Sequence, residues 1–383
     1  MRLENYRSPW MDADLDAFRD SIRRFVREQL LPLEDKWREQ KRSDRAAWLA
    51  CGEMGMILPD MPSEYGGADG TPAHYCVAME ELTYAGVMSI ALSINHIVGH
   101  YILASGTEQQ KQQWLPKIAS GECITSIAMT EPGTGSDLQG VRTRAVKKGD
   151  KYLISGSKTF ISNGQNSDMV IVIAKTDLEA KGSKGISLFI VDTNTPGFIR
   201  GQCLDKVGLP GQDTSEMFFD ECEVPADCLL GGVEGQGFIQ LMQQLPYERA
   251  EIAVQAVAAM ERALNLTVDY TRERKAFGKS ILDFQNTRFT LAEIKATVMA
   301  SRTFGDLIVQ RWVEGTLDTT MASMGKFWLT DRQGEVVDRC LQFFGGFGYM
   351  NEYPIARMFS DSRVARIYGG ANEIQRELVG RSL

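Results

Sequence analysis

Long stretches without proline fill the second half of the chain, and their apolar residues recur at helical spacing. They are Ala250–Arg272, Gln285–Glu314 and Thr319–Phe343. Lengths of this order suit a bundle of long α-helices. The first third of the chain, from Asp12 to about Gly121, shows the same periodicity. For example, four apolar residues at positions i, i+4, i+7 and i+8 share one helical face: Phe18, Ile22, Phe25 and Val26.

Between these helical regions the pattern changes to short β-rich runs separated by Gly, Asn and Pro. The runs are Tyr152–Ile154, Val170–Ala174, Ile186–Val191 and Met217–Phe219. Runs of this length and composition predict a β domain of about 110 residues. The sequence therefore predicts an α+β protein with a helical domain over residues 1–122, a β domain over 123–233 and a helical domain over 234–383.

Composition narrows the possible partners. The chain has 383 residues, of which 43% are hydrophobic and 24% charged, as in ordinary globular proteins of two or three domains. Its formal net charge of −8 opposes a general nucleic-acid or anionic-membrane surface, because either would need a basic patch. No window reaches the roughly 18 to 20 apolar residues that a membrane span requires. We therefore expect neither a nucleic-acid partner nor a membrane span.

The cysteines and the first residues bear on the compartment. The seven cysteines are scattered without a CxxC pair, which argues against a disulfide framework or a zinc site and favours a reducing compartment. The first twenty residues are rich in acids and have no apolar core, unlike a secretory signal or a transit peptide. We expect a cytoplasmic protein of bacterial type, and a mature mitochondrial matrix form stays open.

Two histidines have the spacing of a metal pair. His96 and His100 are four residues apart, as in helical zinc motifs. No acidic or third ligand accompanies them in the sequence, so we expect histidines of the core or of a cavity wall and no metal site. The Gly-, Pro- and Asp-rich stretch Pro59–Pro72 is expected to be a loop between helices.

Two further segments carry a pattern suited to a phosphorylated cofactor. Ala128–Gly140, AMTEPGTGSDLQG, combines small residues, which permit close backbone approach, with hydroxyl groups that can meet phosphate or ring acceptors. Alone it is also typical of an ordinary turn. The second segment, Gln342–Glu377, contains GGFGYMNEYPIA and IYGGANEI. Together they resemble the two signature segments of the acyl-CoA dehydrogenase family, flavoenzymes that remove two hydrogens from the α and β carbons of an acyl-CoA thioester.

The resemblance covers essentially the whole chain and implies the architecture of that family. Its members have an N-terminal helical domain, a middle β-barrel-like domain and a C-terminal four-helix bundle. The resemblance also implies a noncovalently bound FAD. In Lys158–Gly164, KTFISNG, the family places an aromatic ring on the flavin and a hydroxyl at its N5 edge. The implied cofactor contacts of the middle domain are Met129, Thr130, Gly135, Ser136, Phe160 and Ser162.

The C-terminal domain supplies the remaining implied cofactor contacts. Arg272–Gln285, RERKAFGKSILDFQ, resembles the family element that contacts the FAD of a neighbouring subunit. An arginine suits a pyrophosphate because its planar fork offers several donors to oxygen acceptors. The implied contacts are Arg274, Phe277, Gln285, Gln342, Gly346 and Glu373. Ala371 replaces a hydroxyl residue that often contacts FAD in the family, so that contact is expected to be missing.

The position of the catalytic base departs from the commonest family pattern. In most members a glutamate follows the tyrosine of the second signature, whereas here Tyr368 is followed by Gly369 and Gly370. Long-chain and isovaleryl-CoA dehydrogenases also have glycine or alanine there and take the base from an earlier helix. The corresponding segment here, Leu245–Ala250, contains Glu248, which we expect to be the base.

The same comparison implies the groups that hold the substrate. The thioester carbonyl would meet the backbone N–H of Gly369. The other implied substrate contacts are Ser136, Arg249, Tyr368 and Gly370. Glu251, three residues after Glu248, could face the same side of the helix and is the alternative base.

The expected function is FAD-dependent α,β-dehydrogenation of acyl-CoA to trans-2-enoyl-CoA in fatty-acid β-oxidation. Medium- to long-chain substrates are expected, because the resemblance is greatest to the long-chain type. The family also implies a homotetramer that passes electrons to an electron-transfer flavoprotein. Three alternatives stay open: a branched short-chain dehydrogenase of isovaleryl type, an acyl-CoA oxidase, and a non-catalytic binding or assembly protein.

Overall fold

Six helices make up most of the N-terminal part of the computed structural model, which describes residues 6–180 and 182–383. They are α1 (Ala13–Phe25), α2 (Glu34–Gln40), α3 (Arg45–Glu53), α4 (Pro72–Ala85), α5 (Leu92–Ser105) and α6 (Glu108–Ala119). Local sequence explains where they begin. The Asp12 side chain accepts from the Leu15 N–H at the start of α1, and Pro72 occupies the first turn of α4, where a missing N–H costs nothing.

A seven-stranded mixed sheet follows. Its strands are β1 (Thr125–Ala128), β2 (Arg144–Lys148), β3 (Lys151–Ser162), β4 (Met169–Lys175), β5 (Ile186–Asp192), β6 (Phe198–Cys203) and β7 (Thr214–Pro225). The order is β1-β4-β2-β3-β7-β6, and β5 also pairs with β4. β1 runs parallel to β4, whereas β4 and β5 are antiparallel, with Ile171 opposite Ile190. Both of these strands are apolar on both faces and almost wholly buried.

The C-terminal part contains three long helices and two short ones. They are α7 (Gly237–Glu273), α8 (Gln285–Val313), α9 (Thr319–Gln342), α10 (Pro354–Ser362) and α11 (Asn372–Gly380). A small hairpin of β8 (Lys275–Ala276) and β9 (Lys279–Ser280) joins α7 to α8. α7 packs against α8 and α9 on one side and against α4 and α5 on the other. It is therefore the element that joins the two helical regions.

The predicted order of helices, sheet and helices is confirmed. The predicted helical run Ala250–Arg272 lies within α7, and the runs Gln285–Glu314 and Thr319–Phe343 match α8 and α9 except for one residue at the C-terminal end of each. The four predicted β runs lie within β3, β4, β5 and β7. The divisions after residues 122 and 233 stay a prediction. Within the described residues, no helix is both long enough and apolar enough to cross a membrane.

Candidate active site

Glu248 lies on α7 and faces α5. The Tyr101 hydroxyl donates a hydrogen bond of 2.8 Å to Glu248 Oε1, and the glutamate is only 8% exposed. Burial raises the pKa of Glu248 to about 7; the charge of Glu251 acts in the same direction, and the hydrogen bond from Tyr101 opposes it. A carboxyl group that titrates near neutral pH is suited to take a proton from carbon and to release it again.

Glu251, the alternative base, is held by other groups. His96 Nδ1 lies 2.6 Å from Glu251 Oε1, and the Tyr75 hydroxyl donates to Oε2 over 3.3 Å. The Tyr75 ring stacks on His96 with centroids 3.5 Å apart. Both oxygens of Glu251 therefore already have partners, whereas Glu248 has one protein donor. Both glutamates line a small cavity of about 10 Å³.

Gly369 and Gly370 form a tight turn before α11. Both have left-handed backbone angles, with φ of +64° and +85°. A Cβ on Gly369 would lie 2.4 Å from Ile252 Cδ1, so a side chain at this position would meet α7 one turn after Glu248. Within the described residues no hydrogen bond uses the Gly369 N–H. This turn therefore presents a free donor close to the helix that carries Glu248.

Lys326, which was not predicted as a site residue, fixes that turn. Its side chain is completely buried on α9, and Nζ donates to the Gly370 carbonyl over 2.9 Å and to Asn372 Oδ1 over 2.8 Å. Burial, aided by the nearby Arg249, lowers the pKa of Lys326 to about 8. Gln375 also donates to Gly370, over 3.1 Å. The carbonyls of the turn are thus bound to side chains.

Arg249, which follows Glu248 on α7, is buried. Its Nη1 donates to Ser323 Oγ over 3.2 Å, while Nε has no hydrogen-bond partner among the described residues. A buried guanidinium with an unused donor is suited to an oxygen-rich ligand. Tyr368, which precedes the Gly369 turn, is 39% exposed and lines a larger cavity of about 240 Å³. Ile252 lines the same cavity, which therefore reaches the Gly369 turn.

The predicted flavin contacts of the sheet region lie in two places: on the segment that follows β1 and at the C-terminal end of β3. Phe160 has φ of +60° and is 66% exposed, unlike an ordinary strand phenylalanine. Lys158, two residues earlier, is buried and donates to the Met129 carbonyl over 3.1 Å and to Glu131 Oε1 over 2.9 Å. The Thr159 N–H donates to the Thr130 carbonyl over 3.0 Å. The segment after β1 is therefore fixed against β3.

Two other predicted residues of this segment lie in the open. Ser136 is exposed, and a Cβ added to Gly135 would meet nothing within 4 Å. Ser162 ends β3 and is half-buried. Gly135 and Ser136, like the Phe160 ring, are thus accessible from outside the chain.

The predicted flavin contacts of the C-terminal region lie on its surface. Phe277 is 94% exposed at the tip of the β8–β9 hairpin, with φ of +53°. The Arg274 guanidinium lies 6.0 Å from the centre of the Phe347 ring, so the hairpin and the segment after α9 are close together. No hydrogen bond or ring contact among the described residues connects this surface set to Glu248. Its other members, all exposed, are Gln285, Gln342, Gly346 and Glu373.

The chain matches three family models in order. They describe the N-terminal domain of acyl-CoA dehydrogenases over residues 12–122, the middle domain over 126–222 and the C-terminal domain over 235–383. The chain is 43% identical to the mitochondrial long-chain specific acyl-CoA dehydrogenase of Rattus norvegicus over 370 residues, 96% of this chain and 86% of the relative. It is 34% identical to the mitochondrial isovaleryl-CoA dehydrogenase of Oryza sativa subsp. japonica over 381 residues, 97% of this chain and 91% of the relative.

Solved structures show the same likeness. An acyl-CoA dehydrogenase from Geobacillus kaustophilus superposes with a TM-score of 0.96 at 42% identity, over 98% of this chain and 99% of that one. A glutaryl-CoA dehydrogenase from Mycobacterium smegmatis in complex with FADH2 has a TM-score of 0.90 at 27% identity, over 97% of this chain and 95% of that one. Models, relatives and structures agree over nearly the whole length, and the chain belongs to the acyl-CoA dehydrogenase family of enzymes.

Proposed function

We propose that this chain dehydrogenates medium- to long-chain acyl-CoA thioesters between the α and β carbons in fatty-acid β-oxidation, with Glu248 as the base. The observation that carries the proposal is the environment of Glu248: a buried carboxyl with a pKa of about 7, oriented by Tyr101 and close to a cavity. The residue at the more common base position is Gly369. The base at 248 supports an active enzyme rather than a non-catalytic member.

The residues around Phe160 fit a bound FAD. Phe160 offers an exposed ring, Gly135 leaves room beside the backbone, and Ser162 carries a hydroxyl at the end of the same strand. An exposed phenylalanine with left-handed backbone is costly in a strand unless a ligand covers it. Bound FAD would supply the acceptor for the β-hydrogen and its electron pair. The similar structure that contains FADH2 supports this assignment.

The protein groups would orient the thioester and move the α-proton. The free N–H of Gly369 can donate to the thioester carbonyl, where negative charge grows as the proton leaves. Glu248 takes that proton within a site that excludes water, since its side chain is buried. Arg249, with its unused Nε donor, is placed for the CoA part of the substrate. Tyr368 and Gly370 flank the donor and limit where the acyl chain can lie.

Similarity to relatives supports the longer substrates. The chain is 43% identical to the long-chain specific acyl-CoA dehydrogenase of Rattus norvegicus and 34% identical to the isovaleryl-CoA dehydrogenase of Oryza sativa subsp. japonica. The isovaleryl-type activity is the second candidate because a relative of that name is also similar over most of the chain.

Electron transfer to an electron-transfer flavoprotein and assembly into a homotetramer belong to the same proposal. The exposed Phe277 and Arg274 support an interface that shares FAD between subunits. An oxidase would instead pass its electrons to oxygen. Peroxide production during turnover in air separates the two activities.

The central experiment is anaerobic mixing of the flavin-loaded protein with palmitoyl-CoA, while the flavin absorption band is followed. We expect the band to bleach. Glu248→Gln should retain acyl-CoA binding but reduce the bleaching rate by about 10²- to 10⁴-fold, the range for loss of a general base. Glu273→Gln, at the far end of the same helix, is the matched control and should bleach at the unchanged rate. Normal bleaching in Glu248→Gln would refute the assignment.

A series of acyl-CoA lengths tests the substrate class. Octanoyl-, palmitoyl- and isovaleryl-CoA should differ in kcat/KM, with the longer straight chains preferred. A preference for isovaleryl-CoA would replace the proposed substrate while leaving Glu248 as the base.

A further inference from the structure

Three metal-binding side chains meet beside the base. His96 and His100 lie one turn apart on α5, and Asp60 reaches them from the loop before α4. His96 Nε2 lies 3.1 Å from Asp60 Oδ1, and His100 Nε2 lies 3.1 Å from Asp60 Oδ2. One donor atom from each of the three residues lies within 4.8 Å of the others. The sequence alone indicated no third ligand, because Asp60 is 36 residues away from His96.

The ring of His96 is oriented as in metal sites. Its Nδ1 lies 2.6 Å from Glu251 Oε1, and its Nε2 lies 3.1 Å from Asp60 Oδ1. Tyr75 stacks on the ring and donates to the other oxygen of Glu251. Metal-ligating histidines characteristically donate their second N–H to a carboxylate in this manner. Glu251 would therefore be an outer partner of the ion.

His100 contributes a second observation. Its Nε2 is buried and lies 3.1 Å from Asp60 Oδ2, and no other hydrogen-bond partner is found for it among the described residues. Both histidines line the cavity of about 10 Å³ that Glu248 and Glu251 also line. A cavity of this size is close to the minimum for one water molecule. The cluster thus combines three ligand side chains with space for about one small further ligand.

We propose that His96, His100 and Asp60 form a binding site for a divalent ion of the zinc class, with a fourth position facing the cavity beside Glu248. Two imidazoles and one carboxylate are ligands that Zn²⁺ accepts, and three protein ligands with one open position make a common zinc arrangement. Each histidine lies 3.1 Å from a different oxygen of Asp60, so a small movement of the three side chains would be needed to bring them to about 2 Å from one ion. This inference does not depend on the proposed substrate or reaction.

The test is a titration of the flavin-loaded protein with Zn²⁺ in competition with a chromophoric chelator, and with Co²⁺ followed by its visible absorption. We expect one ion per chain and a cobalt spectrum of low coordination number. His100→Ala should weaken binding by more than 100-fold, since removal of even an outer partner costs 10- to 100-fold. Glu251→Gln should fall within that smaller range. His74→Ala is the matched control, because it removes the only other histidine of the chain and should leave binding unchanged.

Two results would overturn the proposal. One is that the parent protein binds Zn²⁺ no more tightly than the His100→Ala variant does. The other is stoichiometric binding that survives His100→Ala but is lost in His74→Ala, which would place the ion on the His74 and Asp14 pair instead. Asp60→Asn provides a second, less disruptive ligand variant if His100→Ala does not fold. Either result would mean that hydrogen bonds and ion pairs, without a metal ion, connect His96, His100 and Asp60.

Discussion

Tyr101 donates a hydrogen bond to Glu248, and if Glu248 is the base as proposed, this hydroxyl should control the pH at which it acts. The hydrogen bond favours the carboxylate, so its loss in Tyr101→Phe should raise the pKa of Glu248 above about 7. The rate of flavin reduction requires the carboxylate and should rise with pH through that pKa. A hydrogen bond to a charged group contributes about 1.5–3 kcal/mol, so the midpoint should move up by about 1 to 2 pH units.

The matched control for this prediction is Tyr75→Phe. It removes the same atom from a tyrosine that donates to Glu251 rather than to Glu248, and the midpoint should hardly move. A Tyr101→Phe profile that coincides with the parent profile would show that the hydroxyl does not set the pKa of Glu248.

Burial of Glu248 should also destabilise the fold at high pH. Its pKa is 4.5 as a free side chain and about 7 in the protein, so the folded chain binds the proton more tightly than the unfolded chain does. The resulting penalty is absent below pH 4.5, grows between pH 4.5 and 7, and reaches at most about 3 kcal/mol above pH 7. Glu248→Gln should therefore become more stable relative to the parent as pH rises. Denaturant unfolding at pH 5 and pH 8 measures the difference, and an equal effect at both would contradict the raised pKa.

Gly369 combines a left-handed backbone conformation, which glycine adopts without strain, with a close neighbour. Any L-residue there adopts φ near +64°, at a cost of about 1–2 kcal/mol, and its Cβ meets Ile252 Cδ1. Gly369→Ala should be destabilised by more than the backbone cost alone. In the Ile252→Ala background only the backbone part should remain. Thermal unfolding of the two single variants and the double variant gives the coupling; additive effects would mean that Ile252 moves aside without cost.

The same contact affects an attempt to return the base to position 369. Glu248→Gly with Gly369→Glu places a carboxylate where Ile252 lies, so recovery of flavin reduction should be small. Adding Ile252→Ala should increase the recovery, because it makes space for the new side chain.

At the scale of elements, the buried pair of Lys158 and Glu131 fixes the segment after β1. Lys158→Ala would leave Glu131 buried without its cation, a change that typically costs 3–5 kcal/mol. The variant should unfold at a lower denaturant concentration and retain less flavin. The reason is that Lys158, which also donates to the Met129 carbonyl, holds the segment after β1 against β3. Lys151→Ala removes an exposed ion pair from the same strand and should change little. If Lys158→Ala and Lys151→Ala lower the free energy of unfolding by the same amount, this role of the Lys158 and Glu131 pair is contradicted.

Periodicity in the sequence predicted the long helices well, because their buried stripes are long and regular. It did not reveal β2, which is exposed at four of its five residues and carries little apolar signal. β6 was missed for a similar reason, since none of its residues is fully buried. The β3 run was predicted at three residues, whereas pairing with β2 and β7 extends the strand to twelve.

The candidate site shows the same division. Glu248 could be proposed as the base from the sequence, because Gly369 stands at the position that usually carries it, and this role stays a prediction. Tyr101, Lys326 and Asp60 were not predicted as site residues, because each reaches the site from an element distant in sequence and none belongs to a local motif. Their roles follow from helix packing, which brings α5 and α9 against α7.

At the scale of the whole molecule, the surface set around the β8–β9 hairpin supports an interface between subunits. Phe277 combines left-handed backbone with 94% exposure, two costs that an isolated chain would not be expected to retain. Arg274, three residues earlier, is exposed and has no ion pair among the described residues. Both features fit a ligand or a second copy of the chain that covers the hairpin.

If a neighbouring subunit completes the FAD site, flavin retention and assembly should fail together. Arg274→Ala should lose FAD on dilution and gel filtration, because the missing guanidinium would face the pyrophosphate of a cofactor held by the partner. Arg272→Ala is the matched control: Arg272 lies two residues away, is exposed, and among the described residues forms an ion pair only with Asp269 on its own helix. Sedimentation of the parent should give tetramers with about one FAD per chain. Full flavin occupancy in Arg274→Ala, or a parent that retains FAD as a monomer, would contradict the shared site, because then each chain would hold its cofactor alone.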